Sequence, residues 1–248
     1  FGGAYYSNGT MTDIKIFGDV LTAAEVQELA SKPNYDITAG SIDNLTRWFK
    51  MNAGSGTTIA DDSGNSGTAA DITGATWLYD QFYVDLQNES TGGSGTFTVT
   101  KGKVEGKALT SLTFDGSGDI INVGDSNAII TGTDVTYACW VKVDNGYANT
   151  VYLIANQKGA GSTNMSLAVN RDASGNSAGK IDGFVWNGSS HIHTVYDAGI
   201  NDGKWHHIVF TTTGSSQVLY FDGVQVATGS GAFSNSASTD DMSIGAFN

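Results

Sequence analysis

Short runs of β-branched and aromatic residues recur along most of this chain, each cut off by Gly, Asn, Asp or Ser, and that rhythm limits the fold more than any other feature. Strands are expected near 11–17, 45–51, 76–86, 96–100, 108–114, 119–123, 135–143, 150–156, 164–170, 180–187, 191–197, 204–213, 216–221, 224–228 and 242–247. Such spacing belongs to an all-β sandwich. Asp222-Gly223 falls between Val218-Leu219-Tyr220-Phe221 and Val224-Gln225-Val226, and a type I′ hairpin needs the positive φ that this pair tolerates. Asn187-Gly188 is expected to turn the chain in the same way between Phe184-Val185-Trp186 and His191-Ile192-His193. The acidic residues agree: only four are Glu (Glu25, Glu28, Glu89, Glu105) and the other 21 are Asp, which favours turns over helices.

One helix is signalled. Thr22 and Glu25 form a capping box, Leu21 can staple onto Val26, and Pro33, the only proline, stops the element, so a helix is expected over 23–31. Residues 34–44 read as a connector, and the Gly/Ser/Thr-rich stretch from Asn88 to Gly95 as an exposed loop or insertion.

Charge and composition narrow the function. Twelve Lys and Arg stand against 25 Asp and Glu, a net charge of −13, so no basic surplus exists to neutralise a phosphate backbone and nucleic acid is not an expected partner. No run approaches the ~18 apolar residues of a membrane helix, and a membrane is not expected either. The single Cys139, in Tyr137-Ala138-Cys139-Trp140-Val141, excludes an intrachain disulfide and reads as a buried, inert thiol. The chain opens at Phe1 without an initiator Met or signal peptide and is expected to be processed or excised from a longer protein.

Several stretches, in order, resemble the laminin G-like modules of the concanavalin A-like lectin/glucanase superfamily. They are Trp48-Phe49-Lys50-Met51-Asn52-Ala53-Gly54-Ser55-Gly56, Asp61-Asp62-Ser63-Gly64-Asn65, Leu112-Thr113-Phe114-Asp115-Gly116-Ser117-Gly118-Asp119 and Val123-Gly124-Asp125-Ser126. Ala138-Cys139-Trp140-Val141-Lys142, Asp202-Gly203-Lys204-Trp205-His206-His207-Ile208-Val209, Leu219-Tyr220-Phe221-Asp222-Gly223-Val224 and Ser243-Ile244-Gly245 follow. The resemblance implies a two-sheet antiparallel jelly-roll sandwich with one short peripheral helix. One element is out of order. The closing strand and capped helix of the module pattern are matched by Gly9-Thr10-Met11-Thr12-Asp13-Ile14-Lys15-Ile16-Phe17 and the helix after Thr22, at the start of the chain. A circular permutation, a slice from a tandem array and a segment completing a neighbouring subunit all fit. The expected organisation is a terminal strand and helix in 1–33, a connector in 34–44 and the body of the same sandwich in 45–248. Since an unpaired sheet edge is a liability, residues 11–17 are expected to pair beside 45–51, in cis or in trans.

Glucanases of the superfamily use two glutamates on one strand, whereas the only close pair here, Glu25 and Glu28, lies on the helix; an enzyme is not expected. Family members often hold a structural calcium with acidic residues on the first and last strands, but Thr12-Asp13 and Asn52-Ala53 stand at those places. Asp61, Asn65, Asp115 and Asp119 are the remaining oxygen donors suited to a hard cation, against the plainer reading of polar turns without metal. His191 and His193 alternate on one strand, the spacing of some zinc sites, with no third ligand evident. Trp186, with Phe184, His191, His193 and Tyr196, could line a sugar-binding sheet face, or Trp186 could belong to the core. The five sequons, at Asn8, Asn44, Asn88, Asn164 and Asn187, are close to the number chance gives.

The expectation is a non-catalytic structural or adhesive module of an extracellular, cell-surface or virion protein, partnered by copies of itself or by neighbouring modules. The alternative is a carbohydrate-binding, lectin-like module.

Overall fold

A computed structural model describes residues 5–31, 42–65, 67–79, 110–159, 162–235 and 241–247. The expected strand at 96–100, the end of the one at 76–86, the loop from Asn88, most of the 34–44 connector and Pro33 lie outside the described residues. In chain order the elements are β1 (Tyr5–Tyr6), β2 (Asn8–Phe17), α1 (Ala23–Ser31), β3 (Leu45–Phe49), β4 (Thr58–Ile59), β5 (Ala70–Thr73) and β6 (Thr76–Tyr79). After them come β7 (Thr110–Asp115), β8 (Ile120–Asp125), α2 (Ser126–Ile129), β9 (Asp134–Lys142), β10 (Val151–Gly159), β11 (Ser162–Asp172) and β12 (Gly175–Trp186). The chain closes with β13 (His191–Asp197), β14 (Trp205–Thr213), β15 (Ser216–Phe221), β16 (Val224–Ser230), β17 (Asp241–Ile244) and β18 (Ala246–Phe247).

Two antiparallel sheets of eight strands form the sandwich. One runs β13-β12-β11-β10-β17-β8-β5-β4; the other runs β16-β15-β14-β9-β2-β7-β6, with β3 also paired to β2. Side chains alternate across each strand, and the inward set from both sheets makes the main core, including Met11, Ile14, Phe114, Tyr137, Leu153, Leu167, Phe210 and Ile244. Gly183 in β12 shows how close the layers come: a Cβ there would lie 2.2 Å from the Phe210 ring.

The strand near the start of the chain sits in the middle of its sheet. One edge of β2 pairs with β9 over Thr10 to Phe17, and the other pairs first with β7 and then with β3, in the register Ile14↔Phe49, Lys15↔Trp48 and Phe17↔Leu45. The expected pairing of 11–17 beside 45–51 is therefore made within one chain. Just before β2, β1 pairs with β18, Tyr5 opposite Phe247, and Ser7 N–H donates to Gly245 O at 2.6 Å.

Helix α1 has the expected bounds. Thr22 N–H donates to Glu25 Oε2 at 2.7 Å and Glu25 N–H to Thr22 Oγ1 at 3.4 Å, closing the capping box. Its Val26 and Leu29 meet Leu21, Phe17, Trp48, Val209 and Tyr220 in a second apolar cluster on the outside of the β2 sheet. That side also buries charge: Lys15 and Asp13 are in contact, and Trp48 Nε1–H donates to Asp13 Oδ1 at 2.7 Å. Asp13 has φ 51° within an irregularity where the β2–β9 register slips between Thr12 and Lys15.

Some expectations need correcting. A second, four-residue helix, α2, is present; Asp125 caps it by accepting from Asn127 N–H at 2.9 Å. The strand expected over 242–247 is split at Gly245, whose φ is 83°. Asp222 and Gly223 do adopt the two positive φ values (50° and 79°) of a type I′ turn. Asn187-Gly188 does not make a two-residue hairpin. Four residues separate the strands, because Asn187 Oδ1 accepts from the N–H groups of both Ser189 (2.9 Å) and Ser190 (2.8 Å) and so folds a wider loop.

Candidate functional site: the outward face of β10 to β13

The register of β12 and β13 decides which side chains can act together. Asp182, Phe184 and Trp186 lie opposite Val195, His193 and His191, so these residues share one face. Ile181 and Val185, one position out of step, point into the sandwich core. Trp186 is half-buried and lies on the outward side, outside the core. Its ring meets His191 edge-on with centroids 5.1 Å apart, and His191 lies 6.2 Å from His193.

Tyr196 does not join them. It pairs with Ile181 across the ladder and packs on the main core, 6.2 Å from the ring of Phe221. A period of two sends position 196 to the face opposite 191 and 193.

Beneath the patch is a small apolar cluster of Tyr152, Ala155, Ala168, Phe184 and Phe247. Phe247, from β18, stacks on Tyr152 at 5.1 Å, so the paired ends of the chain help to close this floor. His193 stacks on Phe184 at 5.1 Å, with 27° between the ring planes. Two polar residues not expected from the sequence complete the arrangement. The Arg171 guanidinium lies over Phe184 (5.0 Å) and Tyr152 (5.6 Å). Asp182, with a fully buried side chain, places Oδ2 2.8 Å from His193 Nδ1 and 3.5 Å from Arg171 Nε. Its Oδ1 is buried without a hydrogen-bond partner. A signal for Asp182 was available, because alternation along Ile181-Asp182-Gly183-Phe184-Val185-Trp186 puts it on the face of Trp186. Arg171 reaches that face only through the register shift between Val169 and Arg171, which no spacing reveals.

The candidate cation ligands are engaged in turns. Asp61 Oδ1 accepts from Trp48 N–H (3.0 Å) and Ser63 N–H (2.9 Å), and its Oδ2 lies 3.5 Å from Arg47 Nε. The Asn65 amide donates to Leu45 O. Asp115 Oδ1 accepts from Ser117 N–H (2.7 Å) and Asp119 Oδ2 from Asp115 N–H (2.6 Å); burial pushes the Asp119 carboxyl up. Among the described residues, no three His, Cys, Asp or Glu side chains are grouped so as to hold a metal ion, His191 and His193 included.

His206 is clasped by Asp222 (Nδ1, 2.8 Å) and Asp202 (Nε2, 3.2 Å) and stacks on Phe221 at 4.6 Å. The Lys204 backbone N–H, followed by the His206 and Lys204 side chains, holds the Asp202 carboxyl down at about 2. His207 is buried 5.3 Å from the Trp140 ring, and burial followed by the nearby Lys15 charge pushes it down to about 4. Burial pushes the Cys139 thiol well above its ordinary range, away from the thiolate that nucleophilic chemistry needs. Glu25 is occupied in the helix cap. A polar groove elsewhere, lined by Asn44, Thr46, Arg47, Ser63 and Asn65 among others, has no aromatic ring in its wall.

No curated protein matches the sequence. Among solved structures, domains LG4-5 of the mouse laminin α1 chain align with a TM-score of 0.32 at 16% identity, covering 62% of this chain and 46% of that one. The chain thus spans under half the length of that laminin fragment. Domain 4 of AbnA, a GH43 extracellular arabinanase from Geobacillus stearothermophilus in complex with arabinotriose, aligns with a TM-score of 0.42 at 16% identity, covering 75% of this chain and 76% of that one. A laminin G family model, described as the concanavalin A-like lectin/glucanases superfamily, matches residues 115–248, more than half of the sequence. The two stacked antiparallel sheets and this match place the chain in one family: it is a laminin G-like member of the concanavalin A-like lectin/glucanases superfamily.

Proposed function

We propose that this chain is a non-catalytic adhesive module of an extracellular cell-surface or virion protein, and that it binds carbohydrate through the outward face of β12 and β13. Modules with this fold are often adhesive or carbohydrate-binding, are generally non-catalytic and are typical of extracellular proteins. Among the described residues no helix is long and apolar enough to cross a membrane.

One observation carries the reading: Trp186 is only half-buried, although its Nε1 is covered, and it stands on the side of the sheet turned away from the core, beside His191 and His193. A saccharide offers a ring of C–H groups that packs on a flat aromatic surface, and hydroxyls that need hydrogen-bonding partners around it. The patch has both kinds of group.

The test is binding to a panel of immobilised oligosaccharides by the unaltered protein and by Trp186→Ala. Binding by the unaltered protein to at least one neutral oligosaccharide is expected, weakened at least tenfold by Trp186→Ala. Unaltered protein that binds nothing on a broad panel, or binding indifferent to Trp186→Ala, would end the reading.

A further inference from the structure

We infer that Asp182 is a positioning residue that fixes the hydrogen-bonding sense of this face. It makes His193 present a bare Nε2 acceptor next to the Arg171 donors, a pairing suited to neighbouring hydroxyls of an uncharged saccharide; the ligand class rests on the carbohydrate reading above.

A carboxylate can only accept hydrogen bonds. With Asp182 Oδ2 2.8 Å from His193 Nδ1, that nitrogen must carry the proton. In a neutral imidazole the other nitrogen is then an acceptor. The plane of the His193 ring is set by its stacking on Phe184, and Phe184 is itself 98% buried and immobilised by packing. His193 is half-buried, whereas Asp182 Oδ1 is sealed from solvent.

Arg171 Nε lies 3.5 Å from the same oxygen, an ion-pair distance without a hydrogen bond, and the guanidinium lies over the rings of Phe184 and Tyr152. A guanidinium only donates. Because His193 Nδ1 and Arg171 Nε both lie within 3.5 Å of one carboxylate oxygen, an imidazole with an acceptor nitrogen and a donor guanidinium share this face. Two adjacent sugar hydroxyls, one donating and one accepting, satisfy that pair, while the apolar side of the sugar ring rests on Trp186. A carboxylated or sulfated sugar fits less well. The Arg171 charge is already balanced by Asp182, a bare Nε2 lone pair repels an anion, and Lys180, on the same side of β12, is tied to Asp172 at 2.8 Å.

Nitrogen-15 NMR of the imidazoles at neutral pH reads the tautomer directly, with the His193 signals identified by their loss in His193→Phe. The expected result is His193 protonated at Nδ1 and bare at Nε2, shifting toward the Nε2–H form in Asp182→Leu. Affinity for the best-binding neutral oligosaccharide is expected to fall at least fivefold in both variants, each of which retains Trp186. Should Asp182→Leu not fold, the tautomer of the unaltered protein and His193→Phe still decide. An Nε2–H tautomer or a doubly protonated imidazolium in the unaltered protein at neutral pH, variants that bind as well as it does, or a preference for acidic over neutral saccharides would overturn the inference. Unaltered protein that binds no saccharide removes the carbohydrate reading and the ligand named here, whereas the tautomer separately judges the role of Asp182.

Discussion

Lys15 of β2 and Trp48 of β3 face each other across the ladder, and the Lys15 ammonium lies 4.9 Å from the centre of the indole ring. The contact joins the strand at the start of the chain to the first strand of the body, and it does so in a fully buried setting. Burial lowers the Lys15 pKa, while Asp13 beside it acts in the opposite direction. A buried ion pair adds little over an apolar replacement, but removing one partner leaves a bare charge. Lys15→Met is therefore expected to cost about 3–5 kcal/mol in urea denaturation, and the double variant Asp13→Leu/Lys15→Met to recover most of that loss. Equal losses in the single and double variants would contradict this.

The central place of β2 makes a stronger demand. Without it, the inner edges of β9, β7 and β3 lose their partner, and Met11, Ile14 and Ile16 leave the core. A fragment of residues 42–248 is expected to show collapsed, poorly dispersed amide NMR signals. Addition of a peptide of residues 1–33 is expected to restore a dispersed spectrum. A well-dispersed spectrum from the 42–248 fragment alone would show that the sheet does not depend on this strand.

Acid should destabilise the fold through His207. Its pKa is about 4 when folded, against an ordinary value of 6.5, so between those values the unfolded chain binds the extra proton. Stability therefore rises with pH across that window and is lost on acidification, by on the order of 3 kcal/mol for this one group. His207→Phe is expected to flatten the dependence of unfolding free energy on pH between about 4 and 6.5. A variant with the same slope as the unaltered protein would assign the acid sensitivity elsewhere.

Much of the sandwich could be read from the sequence because local chemistry set it. The Thr22–Glu25 box, the Asp222-Gly223 turn and the long alternating strands each depend on residues close in the chain. The pairing of β2 with β3 was legible for a different reason, the position of a recognisable closing strand at the wrong end. β4 and β5 escaped notice, being two and four residues long and held by neighbours distant in sequence. The candidate binding face was legible only in part. Trp186, His191 and His193 follow from alternation, and the same alternation argues against Tyr196. Asp182 is not legible in this way, because a buried carboxylate makes sense only once its partners are known, and Arg171 is delivered to it by a register shift. Asn187-Gly188 has the composition of a tight turn, but the Asn187 side chain caps Ser189 and Ser190 and opens it into a wider loop.

The central claim concerns where a saccharide lands. Amide and side-chain chemical shifts, followed while the best-binding oligosaccharide is titrated into isotope-labelled protein, map that place residue by residue. The largest changes are expected at the Trp186 indole and the imidazoles of His191 and His193, with Tyr196 on the opposite side of the sheet little affected. Changes centred on the Asp61–Asn65 and Asp115–Asp119 turns, with Trp186 unmoved, would contradict it.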